Sequence, residues 1–91
     1  MDVEWDENKR ETNIEDHGID FVRAAKIFDN PIVERLDERQ NYGEDRYIVI
    51  GHWNEAFLVV VYTWRRSNRR TISAWKAGRD EKRTYNDSLT Q

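Results

Sequence analysis

The sequence predicts an α+β domain with a small, mainly antiparallel β-sheet, two N-terminal helices and a short C-terminal helix. Two observations lead to this fold class. Capping and apolar residues recur at helical spacing between residues 6 and 28. Two β-rich runs, residues 46–53 and 56–64, are then separated by only two residues, which is the spacing of a hairpin. With 91 residues in all, a single domain spanning residues 1–91 is expected.

A strand and a surface helix open the chain. Val3 and Trp5 alternate with acidic residues, which is typical of a short strand with one buried face. Asp6 stands where an N-cap belongs, before a largely polar helix predicted over residues 7–16. Gly18 is placed to end this helix in a left-handed conformation.

A second helix and an edge strand follow. Asp20 predicts another N-cap, and apolar residues at positions i, i+3, i+4 and i+7 predict an amphipathic helix over residues 21–28. The helix ends before Pro31, since proline cannot continue the hydrogen-bond ladder. Residues 32–36 predict a short edge strand, and the polar residues 37–45 predict a loop.

The second half of the chain predicts three further strands and a last helix. Residues 46–53 form the first of these strands. Both alternating sets of side chains in residues 56–64 are apolar, so this strand is expected at the centre of the sheet, covered on both faces. Residues 65–69 predict a polar turn, and residues 71–75 predict the next strand. A charged helix over residues 78–87 ends the fold.

The composition excludes several classes of site. The chain has no cysteine, which rules out disulfides, thiolate zinc sites and cysteine nucleophiles. It also lacks the HExxH, EF-hand, Walker and GxGxxG motifs, so neither a metal nor a cofactor is predicted. The longest apolar run, residues 56–62, is too short to cross a membrane, and no apolar signal segment opens the chain. A cytoplasmic location without membrane contact is therefore expected.

Charge is divided unequally between the two halves of the chain. Residues 1–45 contain 6 Lys/Arg and 14 Asp/Glu, whereas residues 46–91 contain 9 Lys/Arg and 4 Asp/Glu, within a net charge of −3. This asymmetry predicts that a polyanion or an acidic partner contacts the second half. The alternative is that both halves simply present solvated faces.

Four arginines crowd the end of the central strand and its turn: Arg65, Arg66, Arg69 and Arg70. Lys76 stands at the end of the next strand, which a hairpin brings alongside, although alternation sends adjacent arginines to opposite faces. Guanidinium groups bind phosphates, so the cluster is a candidate for stabilising the charge that develops during RNA cleavage. The alternative is a charged hairpin tip that keeps a sheet edge soluble.

Aromatic and histidine residues near this cluster have more than one interpretation. Two roles are possible for the aromatic residues Trp64, Trp75 and Tyr62. They either stack on unpaired bases or pack in the core. His52 lies next to a tryptophan in a strand and is expected to pack against its neighbours. His17 stands at a helix C-terminus, a position that the helix dipole favours for a cation, and a role as a catalytic acid is the alternative.

Short motifs occur along nearly the whole chain, from residue 3 to residue 85. They are Glu4-Trp5-Asp6 with Lys9 and Asn13; His17-Gly18-Ile19 with Phe21 and Ala24-Ala25; Phe28-Asp29-Asn30-Pro31; Glu44, Arg46 and Ile50-Gly51; Val59-Val60-Val61-Tyr62-Thr63 followed by Arg65; and Ile72-Ser73-Ala74 with Lys76-Ala77 and Tyr85. In this order and spacing they resemble the BrnT toxin family of bacterial type II toxin–antitoxin systems.

That resemblance implies a RelE-like ribonuclease fold that cleaves RNA without a metal ion and arrests growth. It implies a BrnA-like antitoxin with a ribbon-helix-helix domain as the partner, and contact with operator DNA only through that antitoxin. Because acidic residues repel RNA, the acidic first half is expected to face away from the substrate.

Metal-free RNA cleavage needs cations on the phosphate and groups that move protons. Arg65 and Arg46 are expected on the phosphate, Lys76 as a supporting cation, and His17 or Glu44 as proton carriers. An internal ion pair between Glu44 and Arg46 is the structural alternative. The residues expected to bind RNA are Arg66, Arg69, Arg70 and Trp75.

Two positions depart from the family pattern. Trp75 stands where the family usually has arginine, and Asp16 stands where a lysine commonly precedes the His-Gly pair. Loss of an arginine from the scissile phosphate costs on the order of 10²–10³ in rate. The alternative function is therefore a catalytically weak or inactive binding module that acts as a co-repressor with its DNA-binding antitoxin.

Overall fold

The computed structural model describes residues 2–89. Its elements are β1 (Val3–Trp5), α1 (Glu7–His17), α2 (Phe21–Ala24), a 3₁₀ turn (Ala25–Asp29), β2 (Val33–Leu36), β3 (Tyr47–Trp53), β4 (Ala56–Arg65), β5 (Asn68–Lys76) and α3 (Arg79–Leu89). The five strands form one sheet in the order β1-β5-β4-β3-β2. All neighbours are antiparallel except β1 and β5, which are parallel. The predicted fold class is confirmed, with β4 at the centre and β2 at an edge.

The sheet has two apolar faces, and each is covered by helix. Leu58, Val60 and Tyr62 of β4 pack with Phe21 and Ile27 on one side, which we call the α2 face. The intervening side chains, Val59 and Val61, pack with Ile48 on the other side, which we call the α3 face. On that face Tyr85 of α3 contacts the rings of His52 and Phe57, as expected for a packing role of His52.

Local signals fix the ends of α1 and the start of α2. The Asp6 carboxylate accepts from the backbone N–H of Asn8 at 2.8 Å, and the Asp20 carboxylate caps α2. Gly18 ends α1 with a φ of 71°, and its N–H donates to the carbonyl of Ile14 at 2.8 Å.

The second helix is shorter than predicted. Only Phe21–Ala24 is α-helical, and Ala25–Asp29 continues as a 3₁₀ turn. Ile27 in this turn packs so closely on Gly51 of β3 that a Cβ on that glycine would come within 2.9 Å of the Ile27 Cβ. Asn30 then donates its side-chain amide to the carbonyl of His52 at 2.7 Å. The contacts with β3 therefore hold the segment in the tighter turn.

The β4–β5 hairpin is also tighter than predicted. The turn comprises only Arg66 and Ser67, with Arg66 in the left-handed region at a φ of 59°, so β5 begins at Asn68 rather than near residue 71. Pairing with β1 explains the difference, because Arg69 and Arg70 lie opposite Val3 and Glu4 in a parallel ladder. Within residues 2–89, no helix is long and apolar enough to cross a membrane.

Candidate functional site

Arginines from several segments share the α3 face at one end of the sheet. In β4, Thr63 and Arg65 follow Val61 in alternate positions, so all three point to this face. Arg70 of β5 lies opposite Thr63, and alternation from Ile48 places Arg46 on the same side just before β3. The structure thus brings together three of the predicted residues, Arg46, Arg65 and Arg70.

Carboxylates from the acidic half of the chain lie among these arginines. Arg70 donates from Nη1 to Glu4 at 2.7 Å, and Asn68 donates to the other oxygen of Glu4 at 3.0 Å. The hydrogen bonds from Asn68 and Arg70 hold the pKa of Glu4 below its usual range, and the positive charge of Arg65 adds to this effect. The expectation that the acidic half faces away from the basic surface is therefore wrong for Glu4.

Glu44 and Arg46 form the ion pair that was the structural alternative to their catalytic roles. The Nε of Arg46 lies 3.0 Å from Glu44, and its guanidinium stacks 4.2 Å from the centre of the Tyr42 ring. Glu44 thus also departs from the expectation that acidic residues avoid this surface, since it neutralises one of the arginines.

An irregularity in β5 decides which side chains join this face. Val61 lies opposite Ser73 and Tyr62 lies opposite Thr71, so Ile72 is an extra residue in the strand. Strict alternation from Arg70 would place Trp75 on the α2 face and Lys76 on the α3 face. The extra residue inverts that order.

Trp75 therefore lies on the α3 face, where it is half-buried. Its ring centre is 6.1 Å from that of His17, the exposed last residue of α1. On the same ring lies the guanidinium carbon of Arg39, 5.8 Å from the ring centre. His17 and Trp75, which are far apart in the sequence, are thus neighbours.

Lys76 is not brought to the arginines. It lies opposite Leu58 on the α2 face and lines an open groove of about 720 Å³ together with Arg23 and Trp53. Arg66 is exposed in the β4–β5 turn. Lys76 and Arg66 therefore lie outside the cluster on the α3 face, as does Arg69.

Arg69 also lies on the α2 face. Its guanidinium carbon is 4.2 Å from the ring centre of Phe28, 5.0 Å from that of Tyr62 and 4.9 Å from that of Trp64. Tyr62 is fully buried, which agrees with the alternative that it is a core residue and not with stacking on bases. Burial and its hydrogen bond to Glu34 raise the pKa of Tyr62 to about 12, so the hydroxyl stays protonated at neutral pH.

The loop between β2 and β3 holds an ordered ion pair that was not predicted from the sequence. The Asp37 side chain is only 1% exposed and accepts from Nε and Nη2 of Arg39, both at 2.8 Å. The Tyr42 hydroxyl donates to the same carboxylate at 3.1 Å. The only signal in the sequence is the Asp-x-Arg spacing within a stretch otherwise predicted as polar loop.

Comparisons with known proteins agree with this architecture. The profile of the family described as "Ribonuclease toxin, BrnT, of type II toxin-antitoxin system" matches residues 5–81. This chain belongs to the BrnT family. The 1.1 Å crystal structure of the Brucella abortus ribonuclease toxin, BrnT, is similar at a TM-score of 0.66 and 29% sequence identity, over 87% of this chain and 99% of that chain. No match was found among curated proteins.

Membership of the BrnT family confirms the resemblance carried by the short motifs. The family is one of ribonuclease toxins from type II toxin–antitoxin systems. Membership therefore implies a ribonuclease toxin with an antitoxin partner. Within residues 2–89, no group of three His, Asp or Glu side chains is arranged to hold a metal ion.

In this BrnT-family chain, stability is expected to depend on the ionisation of Asp37. The hydrogen bonds from Arg39 lower the pKa of Asp37 far below its usual range, although burial acts in the opposite direction. The carboxylate therefore stabilises the fold above pH about 4, the pKa of an unfolded aspartate, and this contribution is lost as the pH falls further. Urea unfolding at pH 7 and pH 3 should show a smaller loss for Asp37→Asn than for wild type. Equal losses would contradict the prediction.

Proposed function

We propose that this BrnT-family chain cleaves RNA on its α3 face without a metal ion. The observation that carries the proposal is the placement of three arginines, Arg46, Arg65 and Arg70, on or just before neighbouring strands at one end of that face. Guanidinium groups bind phosphate oxygens through paired N–H donors and stabilise the added negative charge of a pentavalent phosphorus.

The reaction we propose is attack of the ribose 2′-oxygen on the neighbouring phosphorus. A base takes the 2′-hydroxyl proton, a bond forms from that oxygen to phosphorus, and the bond to the 5′-oxygen breaks as an acid protonates it. The products are a 2′,3′-cyclic phosphate and a free 5′-hydroxyl. Arg65 and Arg46 hold the phosphate, and Arg70 binds the RNA strand beside them.

Of the two candidate proton carriers, His17 is the one that forms no ion pair within residues 2–89, and we assign the proton transfer to it for that reason. It is exposed and lies beside Trp75. Glu44 is instead bound to Arg46 at 3.0 Å, which favours a role in orienting that arginine. Lys76 and Arg69 have no part in this proposal, because they lie on the α2 face.

We further propose that a BrnA-like ribbon-helix-helix antitoxin neutralises this chain in the cytoplasm and supplies all contact with operator DNA. The family's place in type II systems supports a protein antitoxin.

A second candidate function is a catalytically weak or inactive binding module that serves as a co-repressor with the antitoxin. The specific observation in its favour is that Arg46 and Arg70 are each already bound to a carboxylate. An arginine so neutralised stabilises less charge on a phosphate than a free one.

The test is cleavage by the purified protein together with induced expression in bacteria. We expect the wild type to arrest growth, to degrade a labelled single-stranded RNA into fragments with cyclic phosphate ends, and to do so unchanged in excess EDTA. A folded wild type that cleaves nothing and arrests nothing would favour the binding module. Cleavage that disappears in EDTA and returns with a divalent cation would overturn the metal-free mechanism.

A further inference from the structure

Arg39, which is not among the predicted site residues, presents a fixed guanidinium on the α3 face. The guanidinium donates two hydrogen bonds to the Asp37 carboxylate, one from Nε and one from Nη2. The Nη1 side of the group therefore points away from the carboxylate, in a side chain that is 55% exposed. An arginine held in this way has lost most of its rotamer freedom before any ligand arrives, which favours binding.

The side chain extends over the middle of this face. Asp37 lies beside Arg46, since its N–H donates to the Arg46 carbonyl at 2.7 Å. Trp75, which the Arg39 guanidinium overlies, belongs to β5, two strands away from β3. The Arg39 guanidinium thus lies between Arg46 and the His17–Trp75 pair.

A buried carboxylate is costly unless several donors satisfy it. Asp37 receives two hydrogen bonds from Arg39 and one from Tyr42. The extra residue in β5 in turn directs Trp75 beneath the guanidinium. Two independent features of the fold, one in the β2–β3 loop and one in β5, therefore hold the same cation.

We propose that Arg39 binds a phosphate of single-stranded RNA next to the one that is cleaved, and that Asp37 and Trp75 are positioning residues for it. This inference rests on the proposed function, because it extends the same RNA site. Single-stranded RNA fits better than a duplex, since a backbone that bends freely follows cations spread over a sheet, and an unpaired base can reach the Trp75 edge.

The test is equilibrium binding of a 2′-O-methyl single-stranded RNA, which cannot be cleaved, at several salt concentrations. Arg39→Ala is expected to weaken binding about ten- to a hundredfold. It should also reduce the slope of log affinity against log salt by about 0.7, because one phosphate contact is lost. Arg23→Ala is the matched control, as it removes an exposed arginine on the α2 face and should leave the salt slope unchanged.

A second variant separates contact with RNA from stabilisation of the loop. Asp37→Asn combined with Arg39→Gln keeps the net charge and a neutral hydrogen-bonded pair, so a purely structural Arg39 predicts wild-type binding and salt slope. A phosphate-binding Arg39 predicts losses like those of Arg39→Ala. If both variants bind RNA with the wild-type affinity and salt slope, the inference is overturned. The proposed function still stands in that case if the wild-type protein cleaves RNA. A wild type that neither binds nor cleaves RNA would overturn both.

Discussion

Replacing Arg65 with alanine is expected to lower the rate of RNA cleavage about a hundred- to a thousandfold while the protein stays folded. Arg65 is exposed at the end of β4, on the α3 face, and within residues 2–89 it forms no ion pair. Its charge is therefore free to bind a phosphate, in contrast to Arg70, which is bound to Glu4 at 2.7 Å. Loss of an exposed, unpaired side chain costs little stability.

The measurement is the initial rate of cleavage of a labelled RNA, with thermal unfolding followed by circular dichroism for each variant. Arg23→Ala is the control for a general loss of positive charge, because Arg23 lies beside the groove on the α2 face. Both variants should unfold close to the wild-type temperature, and only Arg65→Ala should lose cleavage and growth arrest. Undiminished cleavage by a folded Arg65→Ala would remove this residue from the mechanism.

The order of elements was predictable because each has a local signal. Asp6 and Gly18 mark the ends of one helix by side-chain and backbone chemistry that needs no tertiary contact. The double apolar alternation of residues 56–64 predicted the central strand, because only a strand covered on both faces buries both sets of side chains. The 3₁₀ turn was not predictable in this way, since it depends on the contact between Ile27 and Gly51.

The candidate site was only partly predictable, because its composition depends on one extra residue. Ile72 lies in a strand that reads as continuous, and no glycine or proline marks the irregularity. Strict alternation therefore groups Lys76 with Arg70, whereas the structure groups Trp75 with Arg70 instead. A shift of one residue moves every later side chain of the strand to the opposite face of the sheet. The faces that alternation predicts are therefore wrong for the residues of β5 after Ile72.

Ion pairs were the other feature that the sequence concealed. Glu4 and Arg70 are separated by 66 residues and meet only because β1 adds to β5 in parallel. Division of the chain into an acidic and a basic half predicted separate surfaces. The fold instead places carboxylates of the first half against arginines of the second, so that Arg46 is paired with Glu44 and Arg70 with Glu4.

A buried amide should prove the most sensitive point of the fold: Asn13→Ala is expected to lower the free energy of unfolding by about 3 kcal/mol or more. Asn13 is 5% exposed. Its amide donates to the carbonyls of Ile19 at 2.9 Å and Ala74 at 2.8 Å, and its oxygen accepts from the Ala74 N–H at 3.1 Å. A chain of this length has about 5–14 kcal/mol of stability in all.

The reason for so large an effect lies in the edge of the sheet. β1 pairs with β5 only over Arg69–Thr71, so the peptide groups of Ala74 have no neighbouring strand on that side. The Asn13 side chain makes the hydrogen bonds that a neighbouring strand would make, and it thereby attaches α1 to this edge of the sheet. Removal of the amide leaves three buried peptide groups without partners, each costing about 1–3 kcal/mol, partly offset by local relaxation.

Urea unfolding measures this contribution directly, with Thr12→Ala as the control because Thr12 is exposed on the same helix. Asn13→Asp sharpens the test, since it keeps the size and the acceptor but removes both donors and sets a carboxylate against two carbonyls. It should destabilise the fold at least as much as alanine at pH 7 and recover part of the loss at low pH, where the carboxyl can donate one hydrogen bond. If Asn13→Ala lost less than about 1 kcal/mol, α1 would be held on the sheet by its apolar contacts rather than by this amide.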